Sequence, residues 1–85
     1  MANIRAALII EDVLAGRIID RLAFAVRVSA LAGQLTPDCA SALHQAGHFL
    51  DDADLRCADA QYDSLMRSEL EKESARLRSD MSPAA

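Results

Sequence analysis

Two long apolar repeats, each alternating three- and four-residue spacing, constrain the fold of this chain more than any other feature. Such spacing places the members of a repeat along one side of a helix. The first repeat comprises Ile4, Leu8, Glu11, Ala15, Ile18, Leu22, Ala25 and Ser29. The second comprises Cys39, Leu43, Ala46, Leu50, Ala53, Cys57, Ala60 and Ser64. We call these two sets the seams, and each predicts a long helix.

The two seams are complementary when they are folded antiparallel to each other. This pairing sets Leu8 against Ala60 and Leu22 against Ala46, large side chains against small ones, and it brings Glu11 near Arg56. Helices that interdigitate in this way pack closely. The sequence therefore predicts an all-α fold, an antiparallel two-helix hairpin with helices at about residues 3–32 and 37–78.

The turn between the two predicted helices carries clear capping signals. Gly33 is suited to ending the first helix, and Thr36 is a good N-cap for the second. Pro37 suits the first helical position, and Asp38 matches the positive end of the helix dipole. The acidic run at residues 51–54 could interrupt the second helix, but the seam passes through it in phase, which favours one continuous helix.

Each predicted helix also carries a second apolar side. On the first helix this side consists of Ile10, Val13, Phe24, Val28 and Leu31, and on the second of Leu55, Tyr62, Met66, Leu70 and Leu77. A two-helix hairpin of 85 residues cannot cover so much apolar surface by itself. The simplest cover is a second copy, which gives a homodimeric four-helix bundle. The alternative is a foreign protein, with Phe24, Tyr62 and Met66 as anchors.

The length predicts a single domain covering residues 1–85. From Ser68 onward the pattern becomes polar, and in the hairpin alignment this part passes beyond the start of the first helix. We therefore expect residues 68–80 to form a polar helical extension, either exposed or in contact with a partner. Residues 81–85 are expected to form a frayed tail.

The charge distribution disfavours nucleic acid as a partner and leaves open a basic surface of another protein. The formal net charge is −4, and its excess lies in the second half of the chain, with no basic stripe to neutralise phosphates. Direct binding of nucleic acid is therefore disfavoured. Asp52, Asp59 and Asp63 share one helical side. They are expected either to be a solvated surface or to dock on a basic groove of another protein.

The cysteines and the apolar runs bear on the cellular compartment. Cys39 and Cys57, on one helix of about 1.5 Å rise per residue, would stand roughly 27 Å apart, too far for a disulfide. The apolar start is too short for a signal peptide, and no charge-free stretch could span a bilayer. We expect no membrane association and a cytoplasmic protein, of bacterial or phage origin.

Two sets of residues could carry chemistry. His44 and His48 lie one helical turn apart with Asp52 following, which is a weak metal-site pattern because it lacks the Glu that accompanies such pairs in zinc and di-iron helices. Glu11 is a carboxylate in an apolar seam, a position that raises the pKa of some catalytic acids. Since no nucleophile or second acid accompanies it, we expect Glu11 to fix helix register instead.

These features together predict a non-enzymatic module without a cofactor. The expected function is that of a small acidic adaptor or inhibitor, phage- or mobile-element-encoded, that occupies a partner protein's surface. The expected contacts are Tyr62, Met66, Asp59, Asp63, Asp52 and Phe24. The alternatives are a structural subunit of a helical oligomer and, with weaker support, a metal-binding bundle.

Overall fold

The computed structural model describes residues 2–79, and within this range the chain is helical without any strand. The helices are α1 (Ala2–Leu14), α2 (Arg21–Ser29), α3 (Pro37–Asp51), α4 (Ala53–Ala58) and α5 (Ala60–Ser79). The all-α prediction is confirmed. The prediction of two uninterrupted helices is wrong, since each is broken within the described residues. No helix in this part of the chain is both long and apolar enough to cross a membrane.

The first predicted helix breaks between Leu14 and Arg21. Gly16 adopts a φ of 78°, a left-handed conformation that an L side chain rarely tolerates. The amides of Arg17 and Ile18 turn back to the carbonyl of Asp12, at 2.8 and 3.2 Å, and thereby satisfy the end of α1. The helix at 3–32 is therefore replaced by α1, a turn and α2.

The second predicted helix begins as expected but breaks twice. The Thr36 hydroxyl accepts a hydrogen bond from the Cys39 amide at 3.2 Å, and Pro37 opens α3. Asp52 then leaves helical geometry with φ −90° and ψ 15°, and Asp59 is extended with φ −137° and ψ 102°. The Asp59 carboxylate caps α5 by accepting from the amides of Gln61 and Tyr62 at 3.0 and 3.1 Å. Asp59 thus restarts a helix through its side chain, whereas Asp52 occupies the N-cap position of α4 without a side-chain cap bond, and the continuous helix at 37–78 is not formed.

Helix α1 packs against α5 and α3, and most of the core lies between these three helices. Helix α1 runs antiparallel to α5. Glu11 contacts Arg78, whereas the carbonyl of the later residue Leu14 contacts the earlier residue Arg67. The buried apolar residues are Ala6, Ala7, Ile9, Ile10, Val13, Ile18, Phe24, Leu31, Cys39, Ala42, Leu43, Ala46, Phe49, Leu70 and Leu77. The predicted register, which placed Glu11 beside Arg56, is therefore corrected to one that places it beside Arg78.

Apart from Ile18, which is a buried seam residue, the first predicted helix buries the side that was expected to be the second apolar one. Ile10 and Phe24, assigned to the second apolar side, are buried, whereas Leu8 and Leu22 of the seam are exposed. In α3 the expectation holds, since Cys39, Leu43 and Ala46 of its seam are buried, but the remainder of that seam from Ala53 onward is exposed. Leu8 and Ile10 both lie in the unbroken α1, so the error there was the choice between two apolar sides. Beyond a break the helix changes direction, and residues on one predicted stripe come to face different neighbours.

The segment expected to extend past the hairpin instead contributes to the core. Leu70, Ser74 and Leu77 of α5 are buried, and Ser74 contacts Glu11 of α1. The part of the expected extension within the described residues, 68–79, is therefore packed on the body of the protein. Residue 80 and the predicted frayed tail at 81–85 lie outside the described residues.

Candidate protein-binding surface

Helix α2 and Ile19, which lies two residues before the start of that helix, present apolar side chains to the solvent. We call this set the α2 face and define it as Ile19, Leu22, Ala25, Val26 and Ser29. Ile19 and Leu22 are each 77% exposed and Val26 is 63% exposed. Ala25 and Ser29 are exposed beside them. Within the described residues, these are three of the six large hydrophobic side chains that are exposed, and they fall within eight positions of the chain. Such a cluster is typical of an interaction surface.

The orientation of α2 is set by contacts on its opposite side. Phe24 is only 6% exposed and packs toward α3 at Gly47, where an added Cβ would lie 3.3 Å from the Phe24 ring. The Asp20 carboxylate caps α2 by accepting from the Ala23 amide at 2.8 Å. Arg21 pairs with Asp51 of α3 at 3.4 Å. Because Gly47 has no side chain, α2 can approach α3 closely with its inner side, which leaves the α2 face outward.

The arginines around the α2 face are paired with carboxylates of the same chain. Arg17 and Arg27 each lie 3.0 Å from an oxygen of Asp12, and Arg21 is bound to Asp51. The rim is therefore locally neutralised although it contains three arginines. A partner of the α2 face is not required to be acidic, and burial of apolar area is the main attraction that this surface offers.

Four of the residues expected to bind a partner lie together where α3, α4 and α5 meet. The Tyr62 hydroxyl donates to Asp52 at 2.7 Å, which raises the pKa of Tyr62. Asp63 accepts from Arg67 at 2.9 Å and from Arg56 at 3.1 Å, and these guanidiniums hold the pKa of Asp63 below its usual value. These contacts hold the three helices together. With Asp59 used as a cap, the expected acidic docking surface is largely engaged within the chain.

Met66 and Phe24 were the other two expected contacts. Met66 is half-buried and lines a groove of about 240 Å³ with Gln45, His48, Phe49, Asp52, Glu69 and Leu70. Phe24 belongs to the core, so its assignment as an exposed anchor is corrected. The structure therefore does not bring Phe24 onto one surface with Tyr62 and Met66.

Arg56 joins the groove to the α4–α5 junction. Its guanidinium carbon lies 3.5 Å from the centre of the Phe49 ring, and its Nε donates to the Phe49 carbonyl at 3.0 Å. The same side chain also donates to Asp63. A guanidinium that stacks on an aromatic ring and pairs with a carboxylate is a strong local connection. Arg56 therefore has a structural role here and does not pair with Glu11.

Glu11 has the electrostatics of a paired structural carboxylate. Hydrogen bonding from Arg78, with a further contribution from Ser74, holds the pKa of Glu11 below its usual value despite partial burial. A general acid working near neutral pH requires the opposite shift. The geometry thus fits the register-fixing role, although the partner is Arg78 and not Arg56.

His44 and His48 meet at the exposed surface of α3, where their Nε2 atoms are 2.9 Å apart. Asp52, proposed from the sequence as a third ligand, is engaged by Tyr62. Across residues 2–79, no group of three or more His, Cys, Asp or Glu side chains is placed to share one ion. The three-residue metal site suggested by the sequence is therefore not assembled.

Sequence reasoning missed the exposed residues Ile19, Leu22 and Val26 because the first seam assigned Leu22 to the core. The signal that could have revealed them is the pair Gly16 and Asp20. A glycine followed four residues later by a good N-cap marks a helix restart and hence a change of buried side.

Comparison of the chain with protein-family models, curated proteins and solved structures found no match. Its described residues place it among small all-α proteins with an exposed apolar helix surface.

Proposed function

We propose that this chain is a non-enzymatic protein-binding module, an adaptor or inhibitor that acts by covering the surface of another protein. The single observation that supports this most directly is the α2 face, where Ile19, Leu22 and Val26 stand in solvent at 63–77% exposure. Full burial of one such side chain contributes about 1.5–3 kcal/mol. Three together are enough to provide the centre of a small interface.

The chemistry of the α2 face supports one kind of partner in this proposal. Its helical part, from Leu22 to Ser29, spans about two helical turns, and its rim arginines are already paired with Asp12 and Asp51. We therefore propose a partner with a shallow apolar groove or helix surface and no dense charge. The acidic residues from Asp52 to Asp63 contribute less to this proposal, because Asp52 is held by Tyr62 and Asp63 by Arg56 and Arg67.

The free thiols are compatible with the expected compartment. Cys39 is buried, Cys57 is exposed, and neither forms a disulfide. An exposed thiol persists more readily in a reducing environment. We accordingly propose that the protein acts in the cytoplasm.

A second candidate function is that of a structural subunit, in which the α2 face binds a second copy of the chain to give a homodimer. The spacing of the helical residues favours it: Leu22 and Val26 lie two positions before and two positions after Phe24 within α2. An antiparallel copy turned about the level of Phe24 therefore sets Leu22 of one chain against Val26 of the other. A surface complementary to itself is what a two-fold interface requires.

Solution mass distinguishes the two candidates. Light scattering coupled to gel filtration over a range of concentrations is expected to give a monomer if the face is kept for a foreign partner, and a dimer if it is used for self-association. In the second case Leu22→Glu should return the protein to a monomer. Leu65→Glu is the matched control, because Leu65 is also exposed but lies on α5.

Photo-crosslinking tests the binding function itself. A benzophenone amino acid placed at position 22 should give a discrete adduct in cells of the source organism, and Val26→Glu in the same chain should abolish it. The same probe at position 65 is the control. Adducts of equal yield from both positions would count against the α2 face as the binding surface.

A further inference from the structure

His44 and His48 form a pair of exposed imidazoles one turn apart on α3. Their Nε2 atoms are separated by 2.9 Å, and the ring planes are nearly perpendicular, at 89°. In this contact one Nε2 donates a proton and the other accepts it, so the accepting nitrogen presents a lone pair to its neighbour. The pair is open to solvent and to small ions.

The distance between the two nitrogens matches the spacing of adjacent ligands on a metal ion. Two imidazole nitrogens each about 2.0–2.1 Å from an ion and at right angles to each other stand about 2.9 Å apart. At a tetrahedral angle the same bond lengths place them about 3.4 Å apart. The 2.9 Å separation is that of the hydrogen bond between the rings, and it equals the right-angle spacing. An ion that replaces the shared proton therefore meets two nitrogens already at that spacing, while the proton of the donor Nε2 moves to the Nδ1 of the same ring or to solvent.

We propose that His44 and His48 form a two-imidazole site for a divalent transition-metal ion with square-planar or octahedral preference, Cu²⁺ or Ni²⁺. Within the described residues there is no third His, Cys, Asp or Glu placed to join them. Asp51 and Asp52 are held by Arg21 and Tyr62. Water therefore completes the coordination shell, and the site is a chelating pair rather than a closed structural site. This inference is independent of the proposed protein-binding function.

Binding at this pair is coupled to the helical state of α3. The two nitrogens converge only when residues 44–48 form a helical turn, so the ion binds the folded chain more strongly than the unfolded chain. The site also lies beside the groove between α2 and α3, whose lining includes Phe24, Leu43, His44 and His48. Bound metal is therefore expected to stabilise the α3 segment that supports α2.

Calorimetric titration of the full-length, tag-free chain with NiCl₂ tests the proposal. The titration is made in the Cys57→Ser background to remove the exposed thiol as a competing ligand. We expect one ion per chain and affinity weakened at least about tenfold by either His44→Gln or His48→Gln, because the second ligand binds intramolecularly. The temperature of unfolding should rise with nickel and should not rise in these variants.

A shifted-histidine variant is the matched control. Ser41→His combined with His44→Gln keeps two exposed imidazoles on α3 but sets them two turns apart, roughly 10 Å along the helix. It should bind nickel as weakly as the single variants. Equal affinity of the Cys57→Ser chain and the shifted variant, or no saturable binding by the Cys57→Ser chain, would overturn the proposal. Circular dichroism confirms that each variant is folded before titration.

Discussion

Glu11 connects α1, the first helix, to α5, the last described helix, by accepting three hydrogen bonds from side chains of α5. Its Oε2 lies 2.6 Å from Arg78 Nε and 2.7 Å from Ser74 Oγ, and its Oε1 lies 2.7 Å from Arg78 Nη2. Ser74 is a buried polar residue, so this contact also satisfies a hydroxyl inside the core. The antiparallel pairing of α1 with α5 therefore has a polar contact that specifies its register.

Removing the carboxylate should destabilise the protein through Ser74. We expect Glu11→Ala to lower the free energy of unfolding by about 1–3 kcal/mol, because a buried hydroxyl loses its acceptor. Glu11→Gln should have a smaller effect, since its amide oxygen can still accept from Ser74. Urea denaturation measures both. The control is Glu71→Ala, an exposed glutamate on α5, which should have little effect.

The paired carboxylates should make the fold sensitive to acid. The pKa values of Glu11 and Asp63 are lowered in the folded chain, from reference values of 4.5 and 3.8. Such groups bind protons more weakly when folded, so their stabilisation is present above the reference values and is lost as the pH falls through the folded pKa values. Unfolding should therefore become easier below about pH 4.5. In the Glu11→Gln variant the stability should depend less on pH in that range, because one of the titrating carboxylates is gone. Thermal unfolding at successive pH values measures this dependence. An unchanged dependence would contradict the lowered pKa of Glu11 in the folded chain.

The turn after α1 should depend on the backbone freedom of Gly16. An added Cβ there meets nothing within 4 Å, but φ is +78°, so the cost of a side chain is one of backbone strain alone. We expect Gly16→Ala to destabilise the fold by roughly 1–2 kcal/mol. Gly16→Asn should cost less, since asparagine tolerates the left-handed region better. Equal losses in the two variants, measured by thermal unfolding, would indicate a steric cause instead.

The two sides of α2 should respond oppositely to truncation. Phe24→Ala removes a core ring and should lower the free energy of unfolding by about 3–5 kcal/mol. Leu22→Ala removes an exposed side chain and should change the stability of the monomer by no more than about 0.5 kcal/mol. Chemical denaturation at low protein concentration gives both values. Similar losses for the two residues would mean that Leu22 is covered in solution.

The helical character of the chain and the beginning of α3 could be predicted from sequence. Thr36 and Pro37 act locally, because the cap and the fixed proline φ are properties of adjacent residues. The buried side of α3 was also predicted, since Cys39, Leu43 and Ala46 lie in one unbroken helix. In α1, which is equally unbroken, two apolar sides were available and the seam selected the wrong one, since Leu8 is exposed and Ile10 is buried.

The helix breaks were not predicted because the local preferences there are nearly balanced. A cap contributes on the order of 1 kcal/mol, similar to the difference between continuing and ending a helix at an aspartate. Asp52 and Asp59 could therefore be either interior helix residues or restart points. Contacts such as Tyr62 with Asp52 and Arg56 with Asp63 exist only in the broken arrangement, and they favour it.

The sequence by itself determined that this chain is all-α, that a helix begins at Pro37, and that its helices carry more apolar surface than a hairpin can cover. Only the tertiary structure decided that Phe24 is buried while Leu22 is exposed, and that Glu11 meets Arg78. The physical reason is that helix propensity and capping act between neighbouring residues. Which apolar side is covered depends on partners distant in sequence, whose positions change with every turn between helices.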